Sequence, residues 1–366
     1  MCPSYPDSKN NRRNNDSNSM RIRFYGAPVV RSLGLLKIFA MAHTSEAATI
    51  NYTIGIHFGH TELSSAYYDS NSQIHIVTSI QSSFKWQEYF LATMEDPRNH
   101  VGYFDLENMA MFNETLESIV TATASTLGQS PDRLNISAFS VPQHFYDISS
   151  FTNMVETASR AGYIHRTGQV ITHFNSARLA YDLDTCAAAG LAPGCNLDEE
   201  ENYVFVVDYG KAYLSLGFAA VGKKLYAQSG ERDWIEGEVV DETEDNRYIL
   251  PPFTLEKIQD FLGSQLARRE WDAPILPSRI LAVILTGEAS NDSMSAMKAL
   301  LEEALPAFKH KFRTSIVPRL VGVLGAAHRA RQMVIDDIFQ GPERLSDHAL
   351  TEEERNPRKP KSHDEL

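Results

Sequence analysis

Apolar positions follow the same design in two stretches of the chain. TIGIHFGHTELSSAY (residues 53–67) and YVFVVDYGKAYLSLGF (residues 203–218) each read as an apolar strand, a glycine-containing turn and a returning strand, about 150 residues apart. The pattern predicts two β-hairpins. Residues 73–80 predict a third strand with Ile74, Ile76 and Ile80 on one face. Residues 84–106 carry Trp86, Tyr89, Phe90, Tyr103 and Phe104 without a clear period and are expected to be irregular. Helical spacing returns at residues 113–127 through Leu116, Ile119, Val120 and Leu127, with Gly128 suited to the end. An alternating strand closed by a proline follows at residues 134–142. Residues 149–160 predict a helix with Phe151, Met154, Val155 and Ala158 inward, stopped at Gly162.

A chain of 366 residues exceeds the size at which one hydrophobic core stops growing, so two lobes are expected. The composition, 43% hydrophobic and 22% charged, is that of a globular body. A formal net charge of −13 excludes general nucleic-acid binding, which needs clustered Lys and Arg to neutralise phosphates.

The two ends differ from the body. Residues 1–19 are rich in Asn, Ser, Asp and Arg and are expected to be disordered. Across residues 20–48, Arg21, Arg23 and Arg31 precede an apolar stretch at residues 33–42 with small residues near Ala40 and Ala42. That order suits a secretory signal, with Lys37 interrupting its apolar core; an amphipathic leader packed on the body is the alternative. About ten residues are too few to span a bilayer as a helix, so no membrane span is expected. The final four residues, His363-Asp-Glu-Leu366, spell the retrieval signal of the endoplasmic reticulum, and the charged, proline-containing stretch 341–366 suits an accessible tail. Cys186 and Cys195 are close enough in sequence to close a short disulfide ring or to remain two free thiols. Sequons occur at Asn15, Asn51, Asn113, Asn135 and Asn291.

Several ordered landmarks resemble the nucleotide-binding domain of the Hsp70 family. Val141-Pro-Gln-His-Phe-Tyr-Asp147 is similar to that family's Val-Pro-Ala-Tyr-Phe-Asn-Asp stretch, and Ala161-Gly-Tyr163 to its Ala-Gly-Leu. Leu179-Ala-Tyr-Asp-Leu-Asp184 resembles the end of its connecting helix. Ile280-Leu-Ala-Val-Ile-Leu-Thr-Gly287 resembles a late strand and glycine turn near the adenosine, and Gly325-Ala-Ala-His328 its closing helix. The resemblance implies an α/β, actin/Hsp70-like duplicated fold of two lobes, with mixed central sheets flanked by helices. Residues 49–185 would form the first lobe and residues 186–340 the second. The outer subdomains are expected to be reduced: residues 85–106 are too few for the first, and the second is replaced by an acidic loop at 231–247 and one helix near residues 254–268. No peptide-binding domain is expected after Gln340.

Through the same resemblance the candidate nucleotide cleft comprises Gly59, His60, Thr61, Asp208, Gly210, Lys211 and Gly287, with ATP or ADP and Mg2+ as the cofactors such a cleft takes. The phosphate chemistry is eroded. His57 stands where the family has Asp, His60 where it has Thr, and Lys211, Ala212 and Tyr213 where it has Gly, Gly and Thr. His173 replaces the connecting-helix Glu, and Ser290 an Arg. Side chains in the second turn would crowd the amides a phosphate must approach. His57, His60, His173 and Asp208 would all project into the cleft, a donor set suited to Zn2+. Lys211 could hold an anion as a point charge.

The expected function is an Hsp70-like pseudo-ATPase that acts as a binding or adaptor module in the endoplasmic reticulum lumen. Its partners would be proteins, together with the retrieval receptor that reads the tail. A divergent active ATPase using Asp208 and Thr61 around Mg2+ is the enzymatic alternative, and a cytosolic remnant of the same family is the third.

Overall fold

Ten strands among the described residues build two five-stranded mixed sheets of identical pattern. The computed structural model describes residues 52–95, 106–145, 149–198, 201–222, 236–239, 254–267 and 275–336, all within one compact unit, Ile50–Leu366. The expected leader and retrieval tail lie outside them. The first sheet holds β1 (Thr53–Phe58), β2 (Glu62–Tyr68), β3 (Ile74–Gln81), β4 (Asn135–Val141) and β5 (Val170–Thr172), in the order β3-β2-β1-β4-β5. The second holds β6 (Asn202–Tyr209), β7 (Tyr213–Val221), β8 (Glu236–Val239), β9 (Ile280–Thr286) and β10 (Phe312–Arg313), in the order β10-β9-β6-β7-β8. In both, a hairpin and a third antiparallel strand lie on one side of the central strand and two parallel strands on the other. The chain is α/β, with helices against both sheets.

The alternation along the central strands assigns their faces. Ile54, Ile56 and Phe58 of β1 enter one core with residues of α1 (Phe84–Glu95), α2 (Leu106–Leu127) and α3 (Ser149–Arg160). Tyr203, Phe205, Val207 and Tyr209 of β6 enter a second core with α5 (Thr254–Ala267) and α6 (Asn291–Ala304). The opposite faces are covered by an exchange. α4 (His173–Ala180) follows β5 of the first sheet, yet Phe174 and Ala177 pack with Val204, Val206 and Ile284 of the second. α7 (Pro318–Ile335) follows β10 of the second sheet, yet Val323 and Ala327 pack on Ala66 of the first. A side chain at Gly55 would lie 2.2 Å from the Ala326 backbone, so β1 and α7 are in near-backbone contact. A side chain at Gly325 would meet the Ser176 carbonyl at 2.0 Å, so the crossing of α4 and α7 requires glycine there.

A polar cluster joins that crossing to the end of α4. His328 of α7 lies 3.2 Å from Asp182 and 3.4 Å from Asp184, and Gln332 donates to Asp184. Burial alone would raise the Asp184 carboxyl, but His328 and Arg178 outweigh it and hold it at about 2. Burial opposes a charge on His328, but the two carboxylates prevail and raise its imidazole. Cys186 and Cys195, in the loop that follows, are joined as a disulfide.

Four local expectations change. Residues 84–95 are helical: Trp86, Phe90, Thr93 and Met94 repeat at helical spacing and are buried, a period obscured by half-buried aromatic neighbours such as Tyr89. Residues 96–105, with Tyr103 and Phe104, lie outside the described residues. The next helix begins at Leu106 rather than at Asn113. On β3, Ile74 and Ile80 serve opposite faces, and Ile76 is 41% exposed. A bulge at Ser65/Ala66 leaves Val77 unpaired, and one extra residue inverts the alternation beyond it. The acidic stretch contributes β8, paired antiparallel to β7, where a loop was expected. Among the described residues no helix is long and apolar enough to cross a membrane.

Candidate functional site

β1 and β6 end in turns closed in the same way: Gly59 N–H donates to the Glu62 carbonyl and Gly210 N–H to the Tyr213 carbonyl, both at 3.0 Å. The first turn is anchored from behind. The Trp86 indole donates to the Gly59 carbonyl at 2.8 Å, the Ser82 hydroxyl to the His60 carbonyl at 2.6 Å and the Ser82 amide to the Thr61 carbonyl at 3.0 Å.

A third turn follows β9. Gly287 has φ +115°, and a side chain there would meet the Tyr209 carbonyl at 2.3 Å, so the position requires glycine. The turn is pinned by the Ala289 amide, which donates to Tyr209. Glu288 is thereby directed at the first turn. Its Oε2 accepts from the Thr61 amide (2.6 Å) and hydroxyl (2.7 Å), and its Oε1 from the Glu62 amide (3.2 Å). A side chain at Gly59 would lie 1.8 Å from that carboxylate. Burial raises the Glu288 carboxyl to about 7; the hydrogen bonds from Thr61 and Glu62 pull against it, and the charge of Asp208 adds to it.

Asp208 occupies the position in the second hairpin that His57 holds in the first. Its Oδ1 accepts from the Tyr213 hydroxyl at 3.1 Å and its Oδ2 faces His173 Nδ1 at 3.1 Å. His173 Nε2 donates to the Phe58 carbonyl at 3.1 Å, because a carbonyl can only accept. Both nitrogens of His173 and both oxygens of Asp208 are therefore engaged within the protein. Burial, then the charges of Asp208 and Glu288, raise the Tyr213 phenol well above its ordinary value.

The predicted metal set does not assemble. His57 Nδ1 bonds the Ser140 hydroxyl at 3.1 Å, and its ring lies 4.4 Å from that of His173 and against Gly322. His60 turns away into a cluster of rings, 5.1 Å from Phe90 and 5.9 Å from Tyr213. Its buried ring nitrogens make no hydrogen bond of good geometry. Among the described residues no group of three or more His, Cys, Asp or Glu side chains is arranged to hold a metal ion. The physical reason is saturation: His173 has no free lone pair, and His57 reaches it only ring to ring. Burial and the nearby His173 lower His57 well below its ordinary value, and burial lowers His60 to about 4.

The structure thus brings together Gly59, Thr61, Asp208, Gly210 and Gly287. Lys211 is exposed at the tip of its turn. Sequence reasoning missed Glu288 and the ring contact of Phe90 with His144, whose centroids lie 4.7 Å apart. A carboxylate directly after a glycine turn was the available signal for the first. The sequence matches no family model and no curated protein.

Proposed function

We propose that the chain has the actin/Hsp70-like duplicated fold and acts as a pseudo-ATPase, a binding or adaptor module whose nucleotide cleft is filled by its own side chains. The repeated sheet pattern and the exchanged helices support the fold. One observation carries the function: the donors of the first turn and the Asp208 carboxylate already have internal partners. The turn donors at Thr61 and Glu62 hold the Glu288 carboxylate, and Asp208, which would position Mg2+ through water, is spent on Tyr213 and His173. Protein partners would then use the outer surfaces of the two lobes. An endoplasmic reticulum lumen is supported by the His363-Asp-Glu-Leu366 tetrapeptide, which a retrieval receptor reads, and by the Cys186–Cys195 disulfide, which an oxidising compartment maintains.

A thermal-shift titration with Mg2+-ATP tests the proposal, because a ligand that binds only the folded state raises the melting temperature by mass action. No rise is expected up to millimolar nucleotide. A saturable rise overturns the filled cleft in favour of the divergent ATPase.

A further inference from the structure

The first turn is built as a receptor, and its occupant is part of the same chain. Two backbone amides and one hydroxyl converge on a single carboxylate, Glu288, from residues 61 and 62. The peptide planes that carry the two amides have anchors besides that carboxylate. Trp86 and Ser82 hold the carbonyls of Gly59, His60 and Thr61 from the other side, which fixes the planes of the peptides whose amides face Glu288. Glu288 also keeps part of its surface accessible, which gives a small solute a route to the position it occupies.

We infer that the Thr61–Glu62 turn is a binding site for a small monocarboxylate, occupied in the native chain by the tethered carboxylate of Glu288. The donor set suits a carboxylate, and the neighbouring charge disfavours phosphate. One oxygen takes two donors and the other takes one, which a planar two-oxygen group satisfies completely. The charge of Asp208 is felt at the same position, so a phosphate dianion meets about twice the repulsion of a monoanion. Lys211 stays on the solvent side of its own turn and is not among the donors.

The inference rests on the filled cleft proposed above, and the two are tested separately. Melting temperatures of wild type and Glu288→Ala are compared at pH 7 in acetate, formate, inorganic phosphate and chloride at equal ionic strength. Acetate and formate are expected to raise the melting temperature of Glu288→Ala above its value in chloride and to leave wild type unchanged, while phosphate matches chloride. The inference is overturned by an alanine variant that responds to acetate and formate no more than to chloride, or that responds more to phosphate. Should that variant aggregate, its refolding yield from urea is compared in acetate and in chloride: a higher yield in acetate supports the site, and equal yields overturn it. Wild-type binding of Mg2+-ATP would overturn the pseudo-ATPase, whereas a failed rescue with no wild-type nucleotide binding overturns only the carboxylate site.

Discussion

Glu288 and Thr61 are 227 residues apart in the chain, and the carboxylate of one accepts both the amide and the hydroxyl of the other at 2.6 and 2.7 Å. The contact bridges the turns of two different sheets and so ties the sheets together at that end.

Replacing Glu288 with alanine leaves the Thr61 and Glu62 donors without their acceptor. A loss of about 1–3 kcal/mol in stability is expected, the usual cost of orphaned buried donors. Urea unfolding of wild type and variant measures it; equal midpoints would assign the contact no energetic role.

The same residue sets a pH slope. Its folded value, about 7, lies above its ordinary value of 4.5, so the folded state holds the proton more tightly. The Glu288 contribution is therefore fully present below 4.5 and declines as the pH rises toward 7. Glu288→Gln is expected to flatten that part of the stability profile, and an unchanged slope counts against the assignment.

The cluster at the helix crossing has a different window. His328 is raised, so its contribution is present below its ordinary value of 6.5 and is lost as the pH rises through the raised folded value. Asp184 is lowered to about 2 from 3.8, so its contribution is present above 3.8 and is lost as the pH falls toward 2. His328→Ala is expected to melt below wild type most clearly between these limits, near pH 5. The two melting curves should converge in alkaline buffer; a constant gap would point to packing against Tyr68 instead of charge.

Phe90 seals His60. Phe90→Ala removes a fully buried ring and is expected to cost about 3–5 kcal/mol. Hydration of the opened space should raise the His60 pKa from about 4 toward its ordinary value, which an NMR titration of the imidazole reads directly. A destabilised variant whose His60 still titrates near 4 would separate the packing of Phe90 from the burial of His60.

Asn291 is the exposed member of the described sequon asparagines, while Asn113 and Asn135 are half-buried. A lumenal chain is expected to carry a glycan there, seen as an endoglycosidase-sensitive band absent from Asn291→Gln. Identical mobility of the two proteins would weigh against the lumen.

The hairpins were legible in the sequence because β1 and β6 are apolar strands that each run into a glycine turn, at Gly59 and Gly210, followed by a returning strand. α1 was not, since aromatic residues at buried and half-buried positions hide a helical period. Ile76 was assigned a face that a bulge in its own strand reverses: Val77 is an extra residue opposite the Ser65/Ala66 step, and the spacing of apolar residues does not announce such an insertion. Of the cleft, the identities of His57, His173 and Asp208 were visible, but not that Asp208 and His173 spend their bonding capacity on each other. Glu288 escaped because its partners lie in the other half of the chain, and an amphipathic helix such as α7 declares an apolar face without naming the sheet that covers it.

That exchange of helices has a consequence for the order in which the protein can form. During synthesis the first sheet emerges with the α7-covered side of β1 and β2 bare, and it stays bare until residues 318–335 leave the ribosome. Fragments cut in the loop between β5 and β6 should each expose apolar surface and recover solubility only when mixed. Each half is expected to need the other in order to fold.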